Sequence, residues 1–152
     1  METAIPALII IALLLLASVT LADQLMSSHE AAAESWLKME ERELDRSRTK
    51  ITILNAQATF DNWVEVEVKN EGQMKLADFE QWDVIVRTID TADWYGYSDD
   101  WSVQIDNTIE PGILNPGETM TVTLQLAASV GSDNLVVVTT PNGVSASQVF
   151  TH

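Results

Sequence analysis

Two different periodicities divide this chain. Near its start, apolar residues fill the unbroken stretch PALIIIALLLLASVTLA, and beyond it apolar or small residues recur three or four positions apart, as on one face of a helix. After Lys50 the period changes to two, as in WVEVEVKNEG, where valines alternate with charged residues. Such alternation predicts a strand with one face in the core and one in water. A long helix followed by a β-domain is therefore predicted.

The helix is predicted to run to residue 48 as one element. Neither Gly nor Pro occurs between Pro6 and Gly72, and a helix of about 40 residues would be about 60 Å long. Basic residues near its end suit the helix dipole. The first half is apolar all round, whereas the second half has a single apolar face, formed by Leu25, Ala32, Trp36 and Met39.

The first half of this helix is long enough to cross a membrane. Glu2 and Asp23 enclose 20 uncharged residues, which as a helix span about 30 Å, the thickness of a bilayer core. A cleaved signal peptide fits less well, because no basic residue precedes the apolar run and the run is long for such a segment. The stretch ASVTLA still resembles a cleavage site. One explanation is that a basic leader is removed before Met1.

About seven short strands, spaced about ten residues apart, are predicted after the helix. They are KITILNA, WVEVEVKNEG, QWDVIVRT, WSVQI, ETMTVTLQL, NLVVVTT and GVSASQVF, and the segments between them are rich in Gly, Pro, Asn and Asp. This pattern predicts an antiparallel β-sandwich of immunoglobulin-like type. The expected fold class is α+β, with a helical domain over 1–48 and a surface-exposed sandwich over 49–152.

Charge and composition exclude several classes of partner and of chemistry. The net charge is −15, and from Lys50 onward 4 basic residues face 15 acidic ones, a net charge of −11. Such a surface repels phosphate, which argues against nucleic acid or an anionic lipid surface as a partner. The chain has no cysteine, which excludes disulfides, thiolate catalysis and cysteine-ligated zinc.

Motifs that carry catalysis or bind cofactors are missing from the sequence. His29 and His152 are the only histidines, and no glycine-rich phosphate loop, nucleophile elbow or paired carboxylates can be identified by spacing. We therefore expect no enzymatic activity, no cofactor and no catalytic or structural metal.

The segment DTADWYGYSDDW is unusually rich in aspartate and aromatic residues. Three interpretations of it stay open. It is a loop held by its own aromatic residues, or a contact with another protein, or a calcium site, because oxygen-rich loops hold Ca²⁺. The protein contact would use Trp94, Tyr95, Tyr97 and Trp101. The calcium site would use Asp90, Asp93, Asp99 and Asp100.

Both ends of the chain resemble one group of proteins. The head METAIPALIIIALLLLASV resembles the start of a mature archaellin or type IV pilin, with an acidic residue near the front and a long aliphatic run. The later VEVEVKNEG and WDVIVRT, followed by LNPGETMTVTL and LVVVTTPNGVSAS, resemble the immunoglobulin-like domain of archaellum proteins. These include accessory proteins F and G of that motor as well as filament subunits. The resemblance covers most of the chain.

The resemblance implies a structural subunit of an extracellular helical filament, used for motility or adhesion at the cell surface. Its precursor would be inserted in the membrane transiently, and assembly machinery there would build a homopolymer around the apolar helices. Glu2 would pair with the Met1 amine of its own or a neighbouring chain, because an unpaired carboxylate is costly in a dry core. The expected filament-core residues are Glu2, Ile5, Leu8, Ile9, Leu13, Leu16, Leu21, Leu25, Ala32, Trp36 and Met39.

Two other functions remain as alternatives. The first is a membrane-anchored accessory of the same machinery, stator-like, with an exported sandwich; it would occur in a few copies per motor instead of thousands per filament. The second is a secreted binding module or enzyme whose mature chain starts near Asp23. Fold alone does not separate them, because a sandwich hosts many functions.

Overall fold

One uninterrupted helix precedes all the strands. The computed structural model describes residues 4–60, 62–88, 91–105, 110–126 and 133–151, with side chains from residue 8 onward except that of residue 60. Helix α1 spans Ala4–Arg48, so the predicted single helix is confirmed. The chain divides into two compact units, Met1–Arg42 and Glu43–His152. The predicted domain boundary after residue 48 coincides with the end of α1 and stays a prediction.

Two four-stranded antiparallel sheets follow the helix. One sheet has the order β1, β2, β6, β5 and the other the order β4, β3, β7, β8, and the predicted α+β fold with an immunoglobulin-like sandwich is confirmed. A short 3₁₀ helix, Phe79–Gln81, precedes β3. The strands are β1 Ile51–Phe60, β2 Trp63–Asn70, β3 Asp83–Arg87, β4 Ala92–Tyr95, β5 Trp101–Ile105, β6 Thr119–Gln125, β7 Asn134–Thr139 and β8 Ser145–Phe150.

Strand β4 was not expected, because its sequence lies in the segment interpreted as a loop. It pairs antiparallel with β3, so that Tyr95 lies opposite Val84 and Trp94 opposite Ile85. Of its four residues only Tyr95 is buried, and one inward residue is too short a signal for alternation to be recognised. The pairing with β3, not the local pattern, makes this segment a strand.

The inward valines of β2 form the centre of the core. Val64, Val66 and Val68 are fully buried and lie opposite inward residues of β6 in the register. The second sheet contributes the inward residues Val84, Val86, Val136 and Val138. Two buried indoles close the core, and each donates its N–H to a backbone carbonyl: Trp82 to Ala77 at 3.0 Å and Trp101 to Tyr95 at 3.1 Å.

A β-bulge in β1 preserves the inward register of this edge strand. The pairing with β2 shifts between Ile53 and Asn55, so Leu54 is an extra residue and is exposed. Without it, every later side chain of β1 would change faces. With it, Ala56 and Ala58 still pack against the core.

We expect Leu124→Ala to destabilise the sandwich by about 2–5 kcal/mol, because it opens a cavity in the close-packed core. Leu124 is fully buried and lies between Val64 and Trp101 in the sheet. The measurement is urea unfolding of the full chain in detergent. Thr123→Ala, the adjacent residue with its side chain on the outer face, is the control and should change stability by no more than about 0.5 kcal/mol. Equal effects of the two variants would contradict the described core.

Candidate functional site

Most of the exposed large hydrophobic side chains among the described residues belong to α1. All large apolar side chains from Leu8 to Leu44 are exposed, and those of the predicted filament-core residues are 54% to 71% exposed. Ala32 is exposed as well. Glu2, with its predicted ion pair to Met1, lies outside the described residues, as does the side chain of Ile5. The remaining core residues, from Leu8 to Met39, are available to lipid or to other protein helices.

Helix α1 is able to cross a membrane by its length and composition, although a signal sequence near an N-terminus meets the same criteria. Its apolar half contains two hydroxyls, and both donate to carbonyls of the preceding turn. Ser18 bonds to Leu14, and Thr20 bonds to Ala17 at 2.9 Å. These bonds satisfy the hydroxyl donors within the helix, so neither requires water.

The last turn of α1 is held to the sandwich by Thr49, which is 5% exposed. Its backbone N–H and its hydroxyl both donate to the carbonyl of Asp45, at 3.0 and 2.8 Å. The hydroxyl oxygen also accepts a bond of 2.7 Å from the side-chain amide of Asn142, in the turn between β7 and β8. Residues 93 positions apart in the sequence therefore meet where the helix ends.

A second group of contacts joins the same turn to the segment after β2. The backbone N–H of Gln73 donates to the Arg48 carbonyl at 2.8 Å, and those of Glu71 and Gly72 donate to the Lys50 carbonyl at 2.8 and 3.0 Å. A Cβ on Gly72 would lie 2.5 Å from the Arg48 carbonyl oxygen and 2.6 Å from the Lys50 nitrogen. Only glycine permits this backbone approach. We call residues 45–50, 70–73 and 142 the junction.

Asn70 fixes the sandwich side of the junction. It is fully buried, and its side-chain amide donates to the carbonyls of Met74 at 2.7 Å and Leu114 at 3.0 Å. Its side-chain oxygen accepts the N–H of Gly72 at 3.0 Å. One buried amide thus orients the glycine loop that contacts the helix end.

Lys50 and Glu71 form an ion pair across the junction, with Nζ and Oε2 2.8 Å apart. The hydrogen bond from Lys50 and a second one from the Thr52 hydroxyl hold the pKa of the Glu71 carboxyl below its ordinary value. Both groups are partly in water, so the pair adds a modest, salt-sensitive contribution to the junction.

The expected aromatic contact surface is corrected by the structure, because two of its four members belong to the core. Tyr95 and Trp101 are 6% and 2% exposed, whereas Trp94 is 62% exposed. Tyr97 is half-buried and packs edge-on against Trp101, with ring centroids 4.9 Å apart. Tyr95 on β4 and Trp101 on β5 lie in the core because side chains alternate between the two faces of a strand. The interpretation of this segment as one held by its own aromatic residues therefore describes most of the segment.

The aspartates of this segment make local hydrogen bonds. Asp93 accepts from the Thr91 hydroxyl at 2.9 Å, and Asp100 accepts from the Gly96 backbone N–H at 2.9 Å. Within the described residues, no three acidic or histidine side chains are grouped so that they could hold a metal ion. Asp90 lies outside the described residues, and Asp99 is exposed. The suggested calcium site therefore stays a prediction.

The outer faces of the two sheets differ in polarity. That of the first sheet carries mostly charged and hydroxyl side chains, with a shallow depression lined by Thr59, Trp63, Glu65 and Thr123. That of the second sheet has at least one apolar side chain on each of its four strands, beside the polar residues Asp83, Arg87, Thr139, Ser145 and Ser147. We call it the apolar face; it consists of Ile85, Trp94, Leu135, Val137 and Val149, placed there by the register of the sheet. Sequence reasoning identified only Trp94, although the runs VIV and VVV are apolar at consecutive positions and so on both faces.

Solved structures share this fold. The chain is similar to the archaellum periplasmic stator protein FlaG from Sulfolobus acidocaldarius, with 23% identity and a TM-score of 0.58 over 67% of this chain and 99% of that one. It is also similar to the complex of the stator proteins FlaF and FlaG from the same organism, with 21% identity and a TM-score of 0.58 over 67% of this chain and 89% of that one. No family model and no curated protein matches the sequence.

Gly72→Ala is expected to destabilise the sandwich by about 1–3 kcal/mol, because its Cβ would collide with backbone atoms on the other side of the junction. The measurement is the free energy of unfolding of the full chain in detergent. Gln73→Ala serves as the control, since it keeps the backbone N–H that bonds to Arg48 and changes only an exposed side chain. A Gly72→Ala variant as stable as Gln73→Ala would disprove the close approach.

Acid should weaken the junction through Glu71. Because the pKa of Glu71 is lowered in the folded state, its contribution is fully present above its ordinary pKa of about 4.5 and is lost as the pH falls through the lowered value. Melting curves across this range should therefore show a smaller loss of stability for Glu71→Gln than for the parent chain. Glu67→Gln, an exposed carboxylate on the outer face of β2, is the control and should follow the parent curve. If Glu71→Gln also followed it, the ion pair would have no role.

Proposed function

We propose that this chain is a membrane-anchored accessory protein of an archaellum-type motor, with a stator-like role and an exported sandwich. The observation that carries the proposal is the fold likeness to archaellum stator proteins, which extends over 99% and 89% of those chains. Both of those structures are described as stator proteins and neither as a filament subunit. The comparisons thus support the accessory alternative.

Anchoring rests on α1. Its large apolar side chains from Leu8 to Leu25 are exposed on every side, and this arrangement suits lipid around a single helix. The hydroxyls of Ser18 and Thr20 bond within the helix, so from Leu8 to Ala22 no polar side chain would be left unsatisfied by lipid. The first charged side chain of α1 is Asp23. The helix would remain in the membrane as a permanent anchor.

A stator-like role also requires that load pass between the anchor and the exported domain. The junction meets this requirement because α1 continues into β1 through only Thr49 and Lys50, without a Gly- or Ser-rich linker. Hydrogen bonds at Arg48, Thr49 and Lys50 hold the last turn to the sandwich. A stationary part held by a flexible linker would swivel under load, and these contacts oppose such motion between the last turn of α1 and the sandwich.

The charge of the sandwich agrees with export away from the membrane surface. From Lys50 onward the net charge is −11, which disfavours lying flat on anionic lipid headgroups. The proposed role is structural and involves no catalysis. The filament-subunit hypothesis stays a prediction, since an exposed apolar helix suits a filament core too, but the comparisons give the homopolymer no support.

Fractionation of native cells is the direct test. We expect the chain in the washed membrane fraction, released by detergent and present in few copies per cell, and not in a detergent-free pellet of sheared appendages. Intact mass should show that the membrane-bound chain retains the apolar run. If the chain instead dominated the sheared filaments, or started near Asp23 in the medium, the accessory role would be wrong.

A variant pair tests the anchor itself. Leu13→Asp together with Leu14→Asp places two carboxylates in the apolar half of α1, each at a cost of about 2.5–3.5 kcal/mol in a bilayer, and should shift the chain out of the membrane fraction. The control is Leu37→Asp, which is equally exposed on the same helix but lies beyond Asp23 and should leave the distribution unchanged.

A further inference from the structure

The depression on the outer face of the first sheet has a volume of about 170 Å³ and is lined by Thr59, Trp63, Glu65 and Thr123. It lies across three neighbouring strands, since Thr59 belongs to β1 and Glu65 of β2 pairs with Thr123 of β6. Sites for drug-sized molecules have volumes of roughly 300–1,000 Å³. The depression therefore accommodates one small ring and not a larger cofactor.

A second β-bulge in β1 adds Thr59 to the depression. The pairing with β2 shifts between Ala58 and Phe60, so Thr59 is an extra residue between two paired positions. Bulges often occur beside functional sites, because they turn one side chain out of the regular alternation. Here the bulge places a second hydroxyl near that of Thr123.

The indole of Trp63 differs from the other indoles of the sandwich. Those of Trp82, Trp94 and Trp101 each donate the N–H to an oxygen atom, at 2.9 to 3.1 Å. Trp63 is 38% exposed, and within the described part of the chain its N–H has no acceptor. It therefore offers a ligand both a hydrogen-bond donor and part of an aromatic ring.

The other three side chains of the depression are equally free to bind. Among the described residues, the Glu65 carboxylate and the hydroxyls of Thr59 and Thr123 form no hydrogen bond or ion pair. An apolar ligand would leave these groups unpaired, which is costly. A phosphate or sulfate would be repelled, because the lining has a carboxylate and no basic residue. The ligand that fits has several hydroxyls and one apolar side.

We propose that the depression binds a pyranose ring of a neutral glycan. The C–H side of the ring lies against Trp63, because the negative face of an indole attracts partly positive C–H hydrogens. Two adjacent sugar hydroxyls donate to the Glu65 carboxylate, which has two acceptor oxygens. The hydroxyls of Thr59 and Thr123 bond to the remaining oxygens of the ring.

Hydrogen-bonding groups continue across the sheet from the depression. Gln57, Glu65, Thr123 and Ser102 lie side by side on β1, β2, β6 and β5. This row spans about 14 Å, because neighbouring strands are about 4.8 Å apart. Its amide and hydroxyl groups bond to neutral sugars, so the neighbouring rings of a longer chain find partners there. A glycan chain is therefore the expected ligand, and a free monosaccharide is not.

Saturation-transfer NMR of the full chain with defined sugars tests the proposal. The chain is kept in a polyoxyethylene detergent, which has no sugar headgroup. The probes are the methyl glycosides of glucose, mannose, galactose and N-acetylglucosamine, and a trisaccharide of each. At least one methyl glycoside should bind with a Kd on the order of 1 mM, and its trisaccharide at least threefold more tightly. Equal affinities would overturn the glycan chain in favour of a free monosaccharide.

Matched variants assign the binding to the depression. Trp63→Ala and Thr123→Val should each weaken it about tenfold, and Thr123→Val does so at nearly constant volume. The controls are Trp94→Ala, on the other sheet, and Thr121→Val, the next outward residue of β6; both should bind as the parent chain does. Melting temperatures check that each variant folds. Equal losses in variants and controls, or no binding at tenfold the expected Kd, would overturn the site.

A basic side chain of another protein is the competing ligand, since an indole and a carboxylate also attract a guanidinium. Glu65→Gln keeps the hydrogen-bonding capacity and removes the charge, so sugar affinity should stay within about threefold and should not depend on salt. If N-acetylarginine amide bound more tightly than every sugar, and both Glu65→Gln and salt abolished its binding, the glycan site would be wrong. Neither result bears on the membrane anchor, which cell fractionation tests separately.

Discussion

The hydrogen bonds at the buried Thr49 are the constraint on which the arrangement of this chain depends. There the backbone changes from a helix to an edge strand, and the helix end leaves carbonyls that need donors. Thr49 and the backbone N–H of Gln73 donate to the carbonyls of Asp45 and Arg48. The Asn142 amide donates to the Thr49 hydroxyl, and Gly72 permits the close approach of the two backbones. The last turn of α1 is thereby hydrogen-bonded to the sandwich, with only Thr49 and Lys50 between helix and strand.

Most of the fold was predictable because its signals are local. The period of 3.6 identified α1, and valine alternation identified β2 and its inward face. The junction was not predictable, because Asn142 and Thr49 are 93 residues apart and neither is unusual in its own segment. Strand β4 was missed for the same reason, since only its pairing with β3 reveals it.

The candidate interaction residues show the same difference between local signals and long-range pairing. The exposed helix residues followed from composition alone, whereas Tyr95 and Trp101 were expected at the surface and lie in the core. An aromatic residue in a Gly- and Asp-rich segment looks exposed until the strand register is known. The apolar face carried a signal in VIV and VVV, but consecutive apolar residues predict a covered strand without showing what covers it.

The exposed helix by itself fits an anchor and a filament core equally well, so the decision rests on the sandwich and the junction. A filament subunit is held by many neighbouring helices, and its outer domain needs little further support. An anchored accessory has one helix in lipid, so any load on the sandwich passes through a single helix end. The junction at Arg48, Thr49 and Lys50 supports the proposed accessory role, because it joins that helix end to the sandwich.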